Sequence, residues 1–556
     1  MRGGDGPRGP IAPARPHPEG ARPGRGAALP SSPAGEPPGP PGGELRSLAR
    51  SGALTIAGVA AFGLLGFLFN VIAARGLGAR GAGLVFEAVA ITTIIATMSR
   101  LGGDVGLLQQ LPRLRALGRS SEVPRTILVA LVPSVVAGGL AAGAIWVLSP
   151  QIAALVFHFR TGGTGEPYAR YIRWQAPFIP LAAATVVMLA GARGLASTKP
   201  YVLIDNIATP LLRVVATLGV TLAGLGALAV SLTWGAPLAL GAVAAAAVLA
   251  RILGRQRAER ARSLRCRAWQ VTVSEFWSFS GPRSLAGAAA VLVSWLDIIL
   301  VGALKGPGPA GVYNAVSRYV MVGLFAFSAI RVAMGPQLSR LLAQGRREEA
   351  QLVFQSATYW LVSVSWPFYL ALALFAPTML RIFGRQFSRA GATALVVLAL
   401  AELYDMGTGN VTLVLLMGGK SSWNLFNACL ALAANVSLNV VLIPRLGITG
   451  AAIAWAASIL IENTAAIIQV RFLLRLSPFG RGYPAATLAG AVLVVAGVAA
   501  RLGLGQSFPA LAAWVAAGGA LYLATLWRFR RQLHFGPLGQ ALLSRVRPQP
   551  IQPLGP

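Results

Sequence analysis

Apolar stretches of roughly 18 to 25 residues recur along this chain, each long enough to cross ~30 Å of hydrocarbon as a helix. The pattern predicts fourteen membrane helices. Six lie in the first half, at 54–74, 82–99, 126–148, 176–195, 205–222 and 229–250. Eight follow, at 284–304, 314–333, 357–376, 391–417, 423–443, 449–471, 484–503 and 508–527. The longest outer connection, about 150–174, leaves no room for a folded external domain or the catalytic loop of a membrane polymerase or glycosyltransferase. The helices must therefore hold the function, and an enzyme is not expected.

Composition agrees with the pattern. The 556 residues are 55% hydrophobic and 12% charged, with a mean hydropathy of +0.64. That marks an all-α integral membrane protein. A net charge of +31 elsewhere points to nucleic acid, but 45 of the 48 basic residues are Arg and most occupy short gaps between apolar runs. With the amino terminus inside, 35 basic residues fall on the inner side and 12 on the outer, with Arg213 inside a helix. The bias predicts fourteen crossings with both termini cytoplasmic, and nucleic acid drops out as a partner. Cys266 and Cys429 form no CxxC pair, so no metal site, thiol chemistry or cofactor is implied.

Between them the residue patterns divide the chain. Residues 1–46 form a Pro-, Gly- and Arg-rich tail, with 11 Gly and 12 Pro among the first 43 residues, a composition that does not pack. Its position and the length of the apolar stretch from Leu54 argue against a cleaved signal peptide. Residues 47–253 make a first six-helix lobe and 284–474 a second. Residues 254–283 are a basic linker whose aromatic run, Glu275 to Phe279, is expected on the inner membrane surface. Residues 475–530 add two helices, and 531–556 a cytoplasmic tail.

The two lobes repeat each other. SGALTIAGVAA (51–61) returns as SGPRSLAGAAA (280–290), and Ala82-Gly83 returns as Ala310-Gly311, 228 positions later. The turn GLGALA (224–229) answers GITGAAIA (447–454). Three matches in order at a near-constant offset indicate a duplicated six-helix unit. An even number of crossings per unit gives both halves the same orientation, around an axis along the membrane normal.

These residues carry a family resemblance. ARGLGARGAG (74–83), the pair Gly102-Gly103, AGVY (310–313), Pro336 with Ser339, and GITGAAIAWA (447–456) are hinge and packing positions. Over about 47–475 the sequence resembles the multidrug/oligosaccharidyl-lipid/polysaccharide exporter superfamily, and within it the oligosaccharide flippase branch of polysaccharide biosynthesis proteins. The resemblance implies twelve or fourteen helices in two lobes, and transport of lipid-linked sugars across a bacterial inner membrane. Lipid II flippases are similar in helix count, but helix 1 here has no basic-acidic pair. Multidrug antiporters of this fold usually keep a carboxylate in helix 1, where this chain has only Asn70.

A charge within a span needs a partner or a wet cavity, because it costs at least ~2.5–3.5 kcal/mol near the midplane. Arg213, Arg318 and Arg331 are therefore expected to bind substrate. Arg213 is the strongest, being mid-helix with a fork suited to pyrophosphate oxygens; a structural ion pair is the rival role for it. Arg331 near the inner end of its helix and Arg318 near the outer end have snorkelling as their rival. Glu402, Asp405, Asp297, Glu87 and Glu462 are expected to be ion-coupling or cavity acids, or partners of the arginines. Glu402 and Asp405 share a helix face beside Gly407 and Gly409, which suggests a locally irregular stretch. The expected function is a flippase for a polyprenyl-pyrophosphate-linked oligosaccharide in cell-surface polysaccharide assembly, monomeric, with membrane lipids and a coupling cation or proton as partners. The alternatives are a cation-coupled multidrug antiporter or a lipid II flippase.

Overall fold

Backbone groups in hydrocarbon must be satisfied within their own segment, and among the described residues every regular element is a helix. The structure is a computed structural model and describes residues 41–161, 166–255 and 269–533. The tail through residue 40, the linker residues 256–268 with Cys266, and the chain from 534 lie outside the described residues.

The first repeat is built from α1 (Pro41–Ser99), α2 (Gly103–Ala116), α3 (Val123–Thr161), α4 (Glu166–Gln175), α5 (Phe178–Leu195), α6 (Thr209–Leu222) and α7 (Gly226–Arg255). The second runs through α8 (Trp269–Lys305), α9 (Pro307–Ala343), α10 (Arg347–Leu374), α11 (Arg385–Thr408), α12 (Val411–Met417), α13 (Ser421–Leu446) and α14 (Ile448–Gln469). α15 (Tyr483–Leu504), α16 (Phe508–Ala513) and α17 (Gly519–Arg528) follow, the last two joined by one wide turn at Trp514–Gly518.

Eleven stretches among the described residues are long and apolar enough to cross a bilayer. They do not reproduce fourteen one for one. Ala57–Ala116 counts once yet holds two of the predicted spans, separated by Gly78 at φ +66°. The spans at 284–304 and 314–333 lie inside α8 and α9, each 37 residues long, which are not among the eleven. The helical stretch also begins earlier than the predicted tail allows, at Pro41. The aromatic run at 275–279 likewise belongs to α8 itself. Phe276 is buried, and it packs against Gly106 of α2 instead of lying on a membrane surface.

The duplication shows in the backbone. Gly78 and Gly306, 228 positions apart, both take positive φ, +66° and +90°, where an L side chain is strained. Each reverses the chain between the first two helices of its repeat. The two turns then pack on each other reciprocally: Gly83 lies against the Pro307 carbonyl, and Gly311 lies against the Ala79 carbonyl. A Cβ at either glycine would strike main chain. Two hydrogen bonds flank this seam, from Arg75 Nε to the Ile382 carbonyl (2.7 Å) and from Lys305 Nζ to the Pro444 carbonyl (2.8 Å). The largest apolar cluster runs through the seam, joining Phe69 and Val85 of α1 to Tyr313 and Val316 of α9 and Leu395 of α11.

Candidate functional site

Below the seam the repeats part around a cavity of about 530 Å³, within the ~300–1,000 Å³ typical of ligand sites. Phe67 in its lining is backed by an aromatic cluster. Phe67, Tyr319 and Phe383 meet edge to face with centroids 5.0–5.6 Å apart, and Tyr319 Oη donates to the Met379 carbonyl. Apolar side chains from α1, such as Phe62 and Phe86, make much of the wall. The polar groups that break this surface are few and convergent.

Arg213 and Arg318 face the same cavity, one from each repeat. The Arg213 guanidinium lies over the Trp234 ring at 4.5 Å, and its Nε donates to the Trp234 carbonyl (2.8 Å), leaving the two terminal nitrogens for a ligand. Arg318 lies over Trp295 at 4.6 Å, with its Nε buried and unpartnered. Stacking on an aromatic face holds the planar group without using its donor edges. Among the described residues no carboxylate comes within ion-pair distance of either arginine, and none belongs to the cavity lining. The rival role of a structural ion pair is therefore not what the structure contains. Arg318 also lies eleven residues into α9 from Pro307, about 16 Å along the axis, so it is not the outer-end residue its sequence position suggests.

Asn70 joins the two repeats beside these arginines. Its Oδ1 accepts from Asn314 Nδ2 of α9 (2.7 Å), while its own Nδ2 donates to the Gly66 carbonyl (2.7 Å). Thr93, also in the lining, has a buried hydroxyl without a partner.

The family of polysaccharide biosynthesis proteins matches residues 48–342, more than half of the chain, and the MatE family matches 282–441. The chain belongs to the polysaccharide biosynthesis protein family. With that family it falls in the multidrug/oligosaccharidyl-lipid/polysaccharide exporter superfamily, as a multi-pass membrane transporter. No sequence among the curated proteins matches it. The lipid II flippase MurJ in an inward closed conformation superimposes with a TM-score of 0.64 at 13% identity, over 85% of this chain and 97% of its own. A multidrug resistance MATE family transporter, inward-facing, gives 0.58 at 16% identity, over 79% and 96%. The MATE multidrug transporter DinF-BH in complex with R6G gives 0.54 at 18%, over 78% and 96%. Identities this low establish the shared fold alone.

Within this family fold the other expected site residues are scattered. Arg331 is exposed, 5.5 Å over Phe327, and lines no part of the cavity. The five acids fall in three separate places outside the lining. Asp297 of α8 accepts from Tyr313 Oη (2.9 Å) and from Asn439 Nδ2 (2.8 Å), bridging α8, α9 and α13. Glu87 is buried against Gly302 of α8 with neither carboxylate oxygen hydrogen-bonded. Glu402 and Asp405 share α11; Glu402 Oε2 is buried without a partner, and Asp405 Oδ1 accepts from Asn463 Nδ2 (2.7 Å), next to Glu462 on α14. α11 ends at Thr408, where Gly409 takes φ +71°, so the predicted tenth span is broken beside these acids.

Sequence reasoning missed Trp234 and Trp295, which hold the arginines, and Arg100, Arg193 and Asp205, which line a second cavity. Asp205 had a visible signal, an acid eight residues before Arg213 in the same predicted span. The others did not: Arg100 and Arg193 stand at helix ends, where a basic residue ordinarily meets the membrane interface.

Proposed function

We propose that this transporter flips a polyprenyl-pyrophosphate-linked oligosaccharide across the bacterial inner membrane for cell-surface polysaccharide assembly. The observation that carries the reading is a central cavity with two arginines, one per lobe, and no acid in its wall. A diphosphate presents two clusters of acceptor oxygens, and two guanidinium forks facing one space suit one cluster each. The sugars occupy the remaining cavity and the polyprenyl chain stays in the bilayer. Both termini are cytoplasmic on this reading. With the seam closed and the cavity on its inner side, the structure represents a loading state, and rocking of the lobes exchanges the accessible side.

A cationic drug has no counter-charge in this cavity and meets two positive ones, so the wall disfavours the multidrug alternative. The fold likeness to MurJ keeps a lipid II carrier as the second reading, since its substrate bears the same diphosphate. Coupling to a cation or proton falls to the buried acids outside the cavity: Glu87, with both oxygens unsatisfied, and Glu402, with one unsatisfied and a second acid, Asp405, three residues on in the same helix.

The test is complementation of glycan export in a deletion strain, with membrane levels of each variant measured alongside. Arg213→Gln and Arg318→Gln are each expected to abolish export at normal protein levels. Wild-type export by both variants removes the arginines from the site. Rescue of MurJ-depleted cells would move the substrate to lipid II, and drug resistance on overproduction would move it to the antiporter class.

A further inference from the structure

A second cavity of about 270 Å³ continues from the first into the amino-terminal lobe. Phe62, Thr93, Arg213 and Trp234 line both spaces, so the two form one passage with Arg213 at the junction. Its far wall carries Arg100, Asp104, Arg193, Tyr201 and Asp205. Arg100 lies 22 residues beyond Gly78, about 33 Å at 1.5 Å per residue, or one full crossing from the seam. Arg193 is in the last turn of α5. On the topology above, this end meets the cytoplasm.

Three features make it a site. Arg193 lies over the Tyr201 ring at 4.3 Å, repeating the stacked geometry of Arg213 on Trp234 and Arg318 on Trp295. The Nε atoms of Arg100 and Arg193 are both buried without a hydrogen-bond partner, as is the Thr93 hydroxyl further along. Asp104 and Asp205 share the wall, but among the described residues neither comes within ion-pair distance of the arginines. Asp205 also sits in a π-helical turn, Val202–Ala208, a local widening common at functional sites. In the second cavity three arginines stand against two aspartates, and Arg318 of the first adds a fourth arginine to the passage, a balance that favours an anion.

We propose that Arg100 and Arg193 form a loading station for a diphosphate group on a prenyl lipid, which then passes to Arg213 and is shared with Arg318. This rests on the flippase reading and adds a first binding position, on the cytoplasmic side and within the amino-terminal lobe. A soluble diphosphate offers the same chemistry, so the source has to be tested.

The experiment is equilibrium binding of farnesyl diphosphate to the full-length protein in lipid nanodiscs, with inorganic pyrophosphate as a parallel ligand. Loss of one charge-assisted contact is expected to weaken farnesyl diphosphate binding about tenfold in Arg100→Gln and in Arg193→Gln. Arg193→Lys, which keeps the charge but loses the fork, should fall between wild type and Gln, and it serves should Arg193→Gln not purify. Unchanged affinity in the station variants alongside loss in Arg213→Gln overturns the station and leaves the central site standing. Absence of farnesyl diphosphate binding to the wild type overturns both. Pyrophosphate bound as tightly as farnesyl diphosphate, and lost in the same variants, overturns the lipid as the source.

Discussion

At the scale of single residues, the arginines owe their availability to tryptophans. An arginine in a membrane lobe ordinarily finds a carboxylate, and the pair then neutralises itself. Here Trp234 and Trp295 supply the contact instead, so each side chain is oriented while, among the described residues, no carboxylate comes within ion-pair distance of it. Arg213→Lys should therefore behave as a damaged variant even though the charge survives, because it loses the Nε bond to the Trp234 carbonyl and the planar stack. We expect export to drop at least several-fold, with Trp234→Ala falling the same way and Trp234→Phe milder; equal activity in all three would dismiss the stack. The Asn70–Asn314 hydrogen bond gives a second residue-scale prediction. Such bonds between membrane helices contribute about 1 kcal/mol. Asn70→Ala and Asn314→Ala should each lower the melting temperature, and the double variant should lower it by less than the sum, since either single change strands the other amide.

At the scale of elements, the flippase reading makes the seam between the α1 and α8–α9 turns the part that sets which side is open. Gly83 and Gly311 admit neighbouring main chain where any side chain would collide. Gly83→Val should wedge the two turns apart. In a protein lacking Cys266 and Cys429, the expected readout is faster labelling of Ile382→Cys by an impermeant maleimide added from outside. No change in labelling, with export intact, would mean that the seam does not gate. The helices and the repeat were legible in sequence because hydrocarbon demands long apolar runs, and because duplicated turns keep their glycines at one offset. Helix continuity was less legible. Gly78 turns the chain within a single helical stretch, and Gly409 breaks α11 from α12 beside Asp405; both are φ choices that hydropathy does not register. α8 reads as linker plus span because its aromatic first turns resemble an interfacial helix, whereas Phe276 is buried on Gly106.

For the molecule as a whole, sequence located Arg213 through its depth in a span but could not gather the site around it. Arg318 is over one hundred residues away, and its place in the cavity depends on how α9 packs on α1. Arg331 and the five acids were equally charged and equally buried in hydropathy terms, yet the fold sends Arg331 to the surface and the acids to separate places outside the cavity. The same geometry bears on energetics. On the flippase reading, the arginines move with their lobes while an anionic head group travels outward, so each transported charge gains about 2.3 kcal/mol per 100 mV of inside-negative potential. Export should slow when an ionophore collapses the potential at constant pH. If coupling runs through Glu402, Glu402→Gln should abolish ion dependence while leaving farnesyl diphosphate affinity intact.

The contact between Gly83 and Pro307, mirrored by Gly311 and Ala79, has a mechanical consequence. It is a fastening made almost entirely of main chain touching main chain, tied at its rim by two exposed hydrogen bonds. On the flippase reading, opening it uncovers carbonyls that water can take up, while the apolar cluster running through the seam favours closing it again in the same register. Its symmetry also yokes the two ancestral halves: bulk gained on one is felt by the backbone of the other, so neither half is free to drift alone.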